Sequence, residues 1–222
     1  MTDDSIGFKE LLDRASRDSV AAGKLFDLHR DRLRRMIQLR LDHRLNGRLD
    51  PSDVLQEAFL EFTHALPAYL AKPEAPFFVW LRCITGRKLH ALHRQHLGTR
   101  MRDAGRDISL QGGALPEASS VLLAAQLLGR LTTPSQAFVR AELQLHIQDA
   151  LAQLTPPDRE VLALRHYEQL SNQETALALG ITEAAASVRF IRALKRLKDV
   201  LKRVPGLLGE AADSFSSKRA PS

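Results

Sequence analysis

The chain has little of what marks several common protein classes. Its one cysteine, Cys83, excludes an intramolecular disulfide and reads as an inert core thiol. No apolar run approaches the ~20 residues needed to cross a bilayer. The opening residues, MTDDSIGFKE, lack the basic-then-apolar layout of a secretory signal. A cytoplasmic protein without a membrane segment is expected. Alternation of β-branched residues is rare while Leu and Ala abound, so an all-α fold is expected. There is no P-loop, nucleophile elbow, metal signature or dinucleotide fingerprint. Neither an enzyme nor a cofactor site is therefore expected. No internal repeat is visible.

What is present is basic and helical. The 222 residues carry a net charge of +6, which suits a polyanionic partner. Such a length allows one domain or two small ones, each with a modest core. The first block is read over residues 7–103. A looser stretch follows over 104–135, with Gly112-Gly113, Pro116 and Pro134; its middle, Val121 to Leu131, suits a short helix. The second block covers 136–204, and a Ser-rich tail over 205–222 reads as disordered.

Leu170 to Leu201, LSNQETALALGITEAAASVRFIRALKRLKDVL, has the pattern of a helix-turn-helix. Ser171 with Glu174 forms a capping-box signature, placing a helix start near Asn172. Gly180 suits the left-handed residue that ends that helix. Thr182 then caps a second helix, whose Ala186, Phe190, Ala193, Leu194 and Leu197 make one apolar face. Arg189, Arg192, Lys195 and Arg196 fall largely off that face. The alternative is an amphipathic hairpin with a solvated basic side; the short helix, Gly turn and longer basic helix together favour DNA.

Asp53 to Leu66, DVLQEAFLEFTHAL, separates cleanly by face. At ~100° per residue, Val54, Leu55, Ala58, Phe59, Phe62, Ala65 and Leu66 share one side. Asp53, Gln56, Glu57, Leu60, Glu61 and His64 share the other. Leu60 among carboxylates resembles a docking surface with an apolar centre and charged rim; the alternative is an ordinary solvated face with one exposed Leu. Asp50-Pro51-Ser52 supplies the helix start.

Beyond Pro76 stands FFVWLRCITGRKLHALHRQHLGTRMRD. Phe78, Trp80, Leu81, Ile84, Leu89 and Leu92 suit a core. Arg82, Arg87, Lys88, Arg94, Arg100 and Arg102 gather on what remains. Cations interleaved with aromatics suit a nucleic-acid surface. His90, His93 and His96 lack the partners of a metal site, so no metal is expected.

An acidic docking helix, a basic-aromatic helix, a linker and a C-terminal helix-turn-helix, in this order, resemble the extracytoplasmic-function group of the sigma-70 family. That group retains regions two and four. The resemblance spans about Gly7 to Val204. It implies that DPSDVLQEAFLEF docks the clamp helices of the polymerase β′ subunit through Asp53, Gln56, Glu57, Leu60 and Glu61. It implies −10 contacts from Trp80, Arg82, Arg87, Lys88, His93, Arg94 and Arg100. Leu66 to Pro76 would be the loop that captures a flipped base. TPPDREVLALRHYE and the helix-turn-helix would form region four, reading the −35 element through Thr182, Ala185, Ser187, Val188, Arg189, Ile191, Arg192, Lys195 and Arg196. The implied partners are RNA polymerase core, through the β′ clamp helices and the β flap, then promoter DNA and an anti-sigma factor. Arg87 stands where the family often has Asn, Thr175 where an aliphatic is usual, and Ser187 where Lys or Arg is frequent.

The implied function is a transcription initiation factor without catalysis of its own. A rival is a dimeric operator-binding regulator, which needs a sensor or dimerisation domain. The second basic surface stands in that domain's place.

Overall fold

A capping box opens one of the two longest helices among the described residues. The Asp50 carboxylate accepts from the Ser52 N–H at 2.7 Å, while Asp53 accepts from the Asp50 N–H at 2.8 Å. With Pro51 in the first turn, this starts α4, Pro51–Ala71. The computed structural model describes residues 3–45, 47–97, 115–129 and 137–202. Before α4 come α1, Asp3–Ala15, α2, Ser19–Asp27, and α3, Arg30–Arg40; after it comes α5, Phe77–Leu97. Then follow α6, Ser120–Gly129, α7, Ala137–Ala152, α8, Pro156–Leu162, α9, Asn172–Leu179, and α10, Glu183–Leu201. No strand occurs among the described residues. Linker residues 104–114 and 130–135 and the expected disordered tail over 205–222 lie outside them.

The chain divides into two compact units, Met1–Pro116 with Gln173–Thr182, and Glu117–Asn172 with Glu183–Ser222. In the first unit the apolar stripes of α2 to α5 converge. Phe26, Leu33, Met36, Ile37, Leu55, Phe62, Leu81 and Ile84 are almost wholly removed from solvent. Each such side chain contributes about 1.5–3 kcal/mol by burial. Rings dominate one end. Tyr69 stacks on Trp80 at 4.3 Å between centroids, and Phe62 and Phe77 meet Trp80 at 5.9 and 5.7 Å. The Tyr69 hydroxyl donates to the Ala75 carbonyl at 2.9 Å, which satisfies its buried polar tip.

The loop expected over Leu66 to Pro76 is mostly helix. α4 continues through Pro67 to Ala71 and leaves only Lys72 to Pro76 as connection. Proline removes one helical N–H and normally kinks or ends a helix. Here Leu66 and Tyr69, buried on either side of Pro67, hold the next turn against the core.

In the second unit α6 packs on α7. The short helix expected between Val121 and Leu131 is therefore part of a folded unit, with Leu123 and Ala124 buried. Thr155 precedes α8, and Pro156-Pro157 occupy its first turn. α8 runs directly into a π-helical stretch, Ala163–Tyr167. Its wider turn closes through the Glu168 N–H to the Ala163 carbonyl at 2.9 Å. Gln169 follows with φ 58°, a left-handed conformation unusual for a residue with a Cβ.

Candidate nucleic-acid interface

α10 places its side chains as an amphipathic reading helix would. Ala186, Ala193 and Leu197 are buried on the inner face, with Phe190 and Leu194 partly covered beside them. Thr182, Ala184, Ala185, Val188, Ile191, Arg192, Lys195 and Arg196 are exposed, and Ser187 and Arg189 are half-buried. The preceding turn has the expected form. Gly180 adopts φ 64°, and the Ile181 N–H donates to the Ala176 carbonyl at 3.0 Å. The Asn172 side-chain amide donates to the Glu183 carbonyl at 3.0 Å. Thr175 is fully buried despite its hydroxyl.

Residues that carried no signal by themselves hold α10 in place. The Arg165 guanidinium lies 5.4 Å from the centre of the Phe190 ring and donates to the Leu170 carbonyl at 2.7 Å. The His166 ring sits 5.4 Å from Phe190 on another side. Asp158, buried in the first turn of α8, pairs with Arg196. Arg196 is thus partly neutralised within the unit. Arg192 and Lys195 are exposed cations of the outer face, with Arg189 at its flank.

α4 presents the acidic face that its periodicity predicts. Asp53, Gln56, Glu57 and Leu60 are exposed and Glu61 is half-buried, while Val54, Leu55, Ala58 and Phe62 are buried opposite. Leu60 is 51% exposed at the centre of this face.

α5 differs more from expectation. Arg87 and Arg94 are exposed, and Lys88 is half-buried. Trp80, Arg82 and His93 are inside the first unit, and Arg100 lies outside the described residues. Trp80 belongs to the aromatic cluster. The His93 Nε2 accepts from the Asp42 N–H at 3.4 Å, an acceptor role that suits a neutral ring. Burial also holds the His93 and His90 pKa values below the usual histidine value. Burial pushes the Cys83 thiol up, opposed by the Arg87 and Arg82 charges. Among the described residues no three His, Cys, Asp or Glu side chains converge as a metal would require. No described helix is long and apolar enough to cross a membrane.

Residues 144–197, spanning most of α7 through α10, match the family described as Sigma-70, region 4. The chain is 34% identical over 151 residues to the ECF RNA polymerase sigma factor SigD of Mycobacterium tuberculosis. Residues 144–197 thus form a sigma-70 region 4 segment. The SigD alignment covers 68% of this chain and 63% of SigD, so the chain spans less than two thirds of that relative's length. The ECF RNA polymerase sigma factor BldN of Streptomyces coelicolor is 26% identical over 199 residues, 89% of this chain and 67% of BldN. Among solved structures, CnrH in complex with the cytosolic domain of CnrY shares the fold. Its TM-score is 0.51 at 22% identity, covering 86% of this chain and 95% of that chain. The match places the second half of α7, α8, α9 and most of α10 in region four.

Proposed function

We propose that this chain is a sigma factor of the extracytoplasmic-function type, acting in the cytoplasm to bring RNA polymerase core to a set of promoters. The observation that carries this reading is the presence of two chemically opposite exposed faces on separate helices. α4 offers carboxylates around Leu60, while the outer face of α10 offers cations and small side chains. A protein that only bound DNA would have no use for the first. Asp53, Gln56, Glu57, Leu60 and Glu61 dock the polymerase β′ clamp helices, and region four meets the β flap and the −35 duplex. Arg87 and Arg94, with Lys88, meet the −10 strand phosphates. The exposed half of α10 enters the major groove, Arg192 facing base edges and Lys195 and Arg189 the phosphates.

The protein performs no chemistry in this reading. It lowers the cost of opening the duplex by binding unpaired bases, each of which costs a few kcal/mol to unstack. CnrH is found in complex with the cytosolic domain of CnrY, and a protein partner is proposed for this chain too, an anti-sigma factor as the family resemblance implies. Run-off transcription on genomic fragments tests the reading. Core polymerase plus this chain should give discrete start sites, and core alone should not. Transcripts that do not depend on the added chain would refute it.

A further inference from the structure

The outermost line of α10 is apolar, which is unusual for a helix that meets a polyanion. Successive residues turn about 100° around a helix. Measured from the buried seam of Ala186, Ala193 and Leu197, Val188 points roughly 160° away on one side and Ile191 about 140° on the other. Ala184 lies one turn before Val188 on the same line. Val188 and Ile191 are 47% and 64% exposed, and Ala184 and Ala185 are exposed beside them. One isolated exposed aliphatic would mean nothing. Here an apolar stripe occupies the crest of the helix, with Arg192 and Arg189 along one flank and Lys195 at its C-terminal end.

That charge frame argues for nucleic acid as the occupant. Cations beside the stripe match the phosphates bordering a groove, and the two alanines let the backbone approach closely. The apolar group that B-DNA offers in its major groove is the thymine 5-methyl. We propose that Val188 and Ile191 read thymine methyl groups, so that the −35 specificity of this chain is set by methyl contact as well as by hydrogen bonding. The proposal rests on the DNA-reading role of α10 given above. Three residues of helix rise about 4.5 Å, close to the 3.4 Å base step. The two side chains therefore address neighbouring base pairs, and the thymines fall on adjacent or next-but-one positions of one or both strands.

The test uses the full chain. Duplexes are selected by binding from a random pool, and each thymine of the winning sequence is then replaced by deoxyuridine, which lacks only the methyl. Binding is followed by fluorescence anisotropy. At one or two positions the replacement should weaken binding roughly fourfold, the value of one buried methyl. Ile191→Ala or Val188→Ala should erase that penalty at one position each, and both exposed sites tolerate Ala within a helix. Equal binding of thymine and uracil throughout would overturn the proposal, as would a penalty undiminished in both variants. Unchanged DNA selection by both variants would overturn it too, and would mark the stripe as a protein contact. A pool that enriches no sequence would instead overturn the DNA-reading role of α10 itself, and the methyl reading with it.

Discussion

Lys88 of α5 places its ammonium 3.3 Å from a carboxylate oxygen of Glu61 and 3.9 Å from one of Glu57, both on α4. The acidic face and the basic helix of the first unit meet at this residue. Its charge is therefore answered from within the protein.

Lys88 should accordingly matter less to DNA than its exposed neighbours. Anisotropy with a −10 non-template strand should show Arg87→Ala and Arg94→Ala weakening binding more than Lys88→Ala. The half-exposed Lys88 pair contributes below about 1 kcal/mol to stability, so Lys88→Ala should melt close to the parent. A larger DNA-binding loss for Lys88→Ala than for Arg87→Ala would reverse the ranking.

The docking face is tested at its centre and rim. Leu60→Asp and Glu57→Lys should each abolish co-elution with core polymerase while leaving the helical circular-dichroism signal unchanged, because both side chains are exposed. Intact holoenzyme with either variant would remove α4 from the polymerase interface.

Arg192 and Arg196 should separate reading from folding. Arg192→Ala should cost about 1–3 kcal/mol of promoter affinity, with relaxed selection at one base pair, and leave the melting temperature alone. Arg196→Ala leaves the buried Asp158 carboxylate without its partner, a cost of about 1–3 kcal/mol to stability. Its signature should be a lower melting temperature and a sequence-independent loss of binding. The same thermal loss in both variants would contradict this division.

Gln169 holds a left-handed backbone with φ 58°. Gln169→Gly should raise the melting temperature, and Gln169→Val should lower it, since a β-branched residue is poorly tolerated there. Calorimetry of the two variants gives the sign directly.

His29 sits among Phe8, Phe77 and Phe78, with ring separations of 6.1, 5.5 and 5.4 Å. Its pKa is lowered to about 4, mainly by burial and further by Arg32, with Glu174 acting in the opposite direction. Above pH 6.5 the ring is neutral both folded and unfolded. Between about 6.5 and 4 the unfolded chain takes up a proton that the folded chain refuses, so stability falls as the pH drops through that window. His90 and His93, also lowered by burial, act in the same direction. Denaturant titrations of His29→Phe should show a flatter decline below pH 6.5 than the parent. Parallel curves would assign the acid loss elsewhere.

Much of this fold is legible in the sequence wherever a local device sets it. The Asp50-Pro51 start of α4, the Gly180 turn and the inner faces of α4 and α10 all follow from spacing alone. Other features depend on distant partners. Arg82 and His93 fall on the polar side of a helical projection, yet the first unit closes over them. Asp158 reads as an ordinary first-turn acid until Arg196 meets it across the second unit. Pro67 reads as a stop, but the buried Leu66 and Tyr69 carry the helix past it. The π-helical stretch is not legible in the periodicity, because so few residues follow it in the helix that a shift of phase has no pattern to disturb.

That extra residue amounts to a rotation. A turn that holds one residue more than usual offsets everything after it by about 100° around the helix axis. The buried Tyr167 and His166 against Phe190, at the end of the stretch, reach their places with this offset included. Deleting a single residue from Ala163–Tyr167 would restore ordinary helical pairing and point the wrong side chains inward. The stretch sets the phase of the helix end, and its length matters more than its composition.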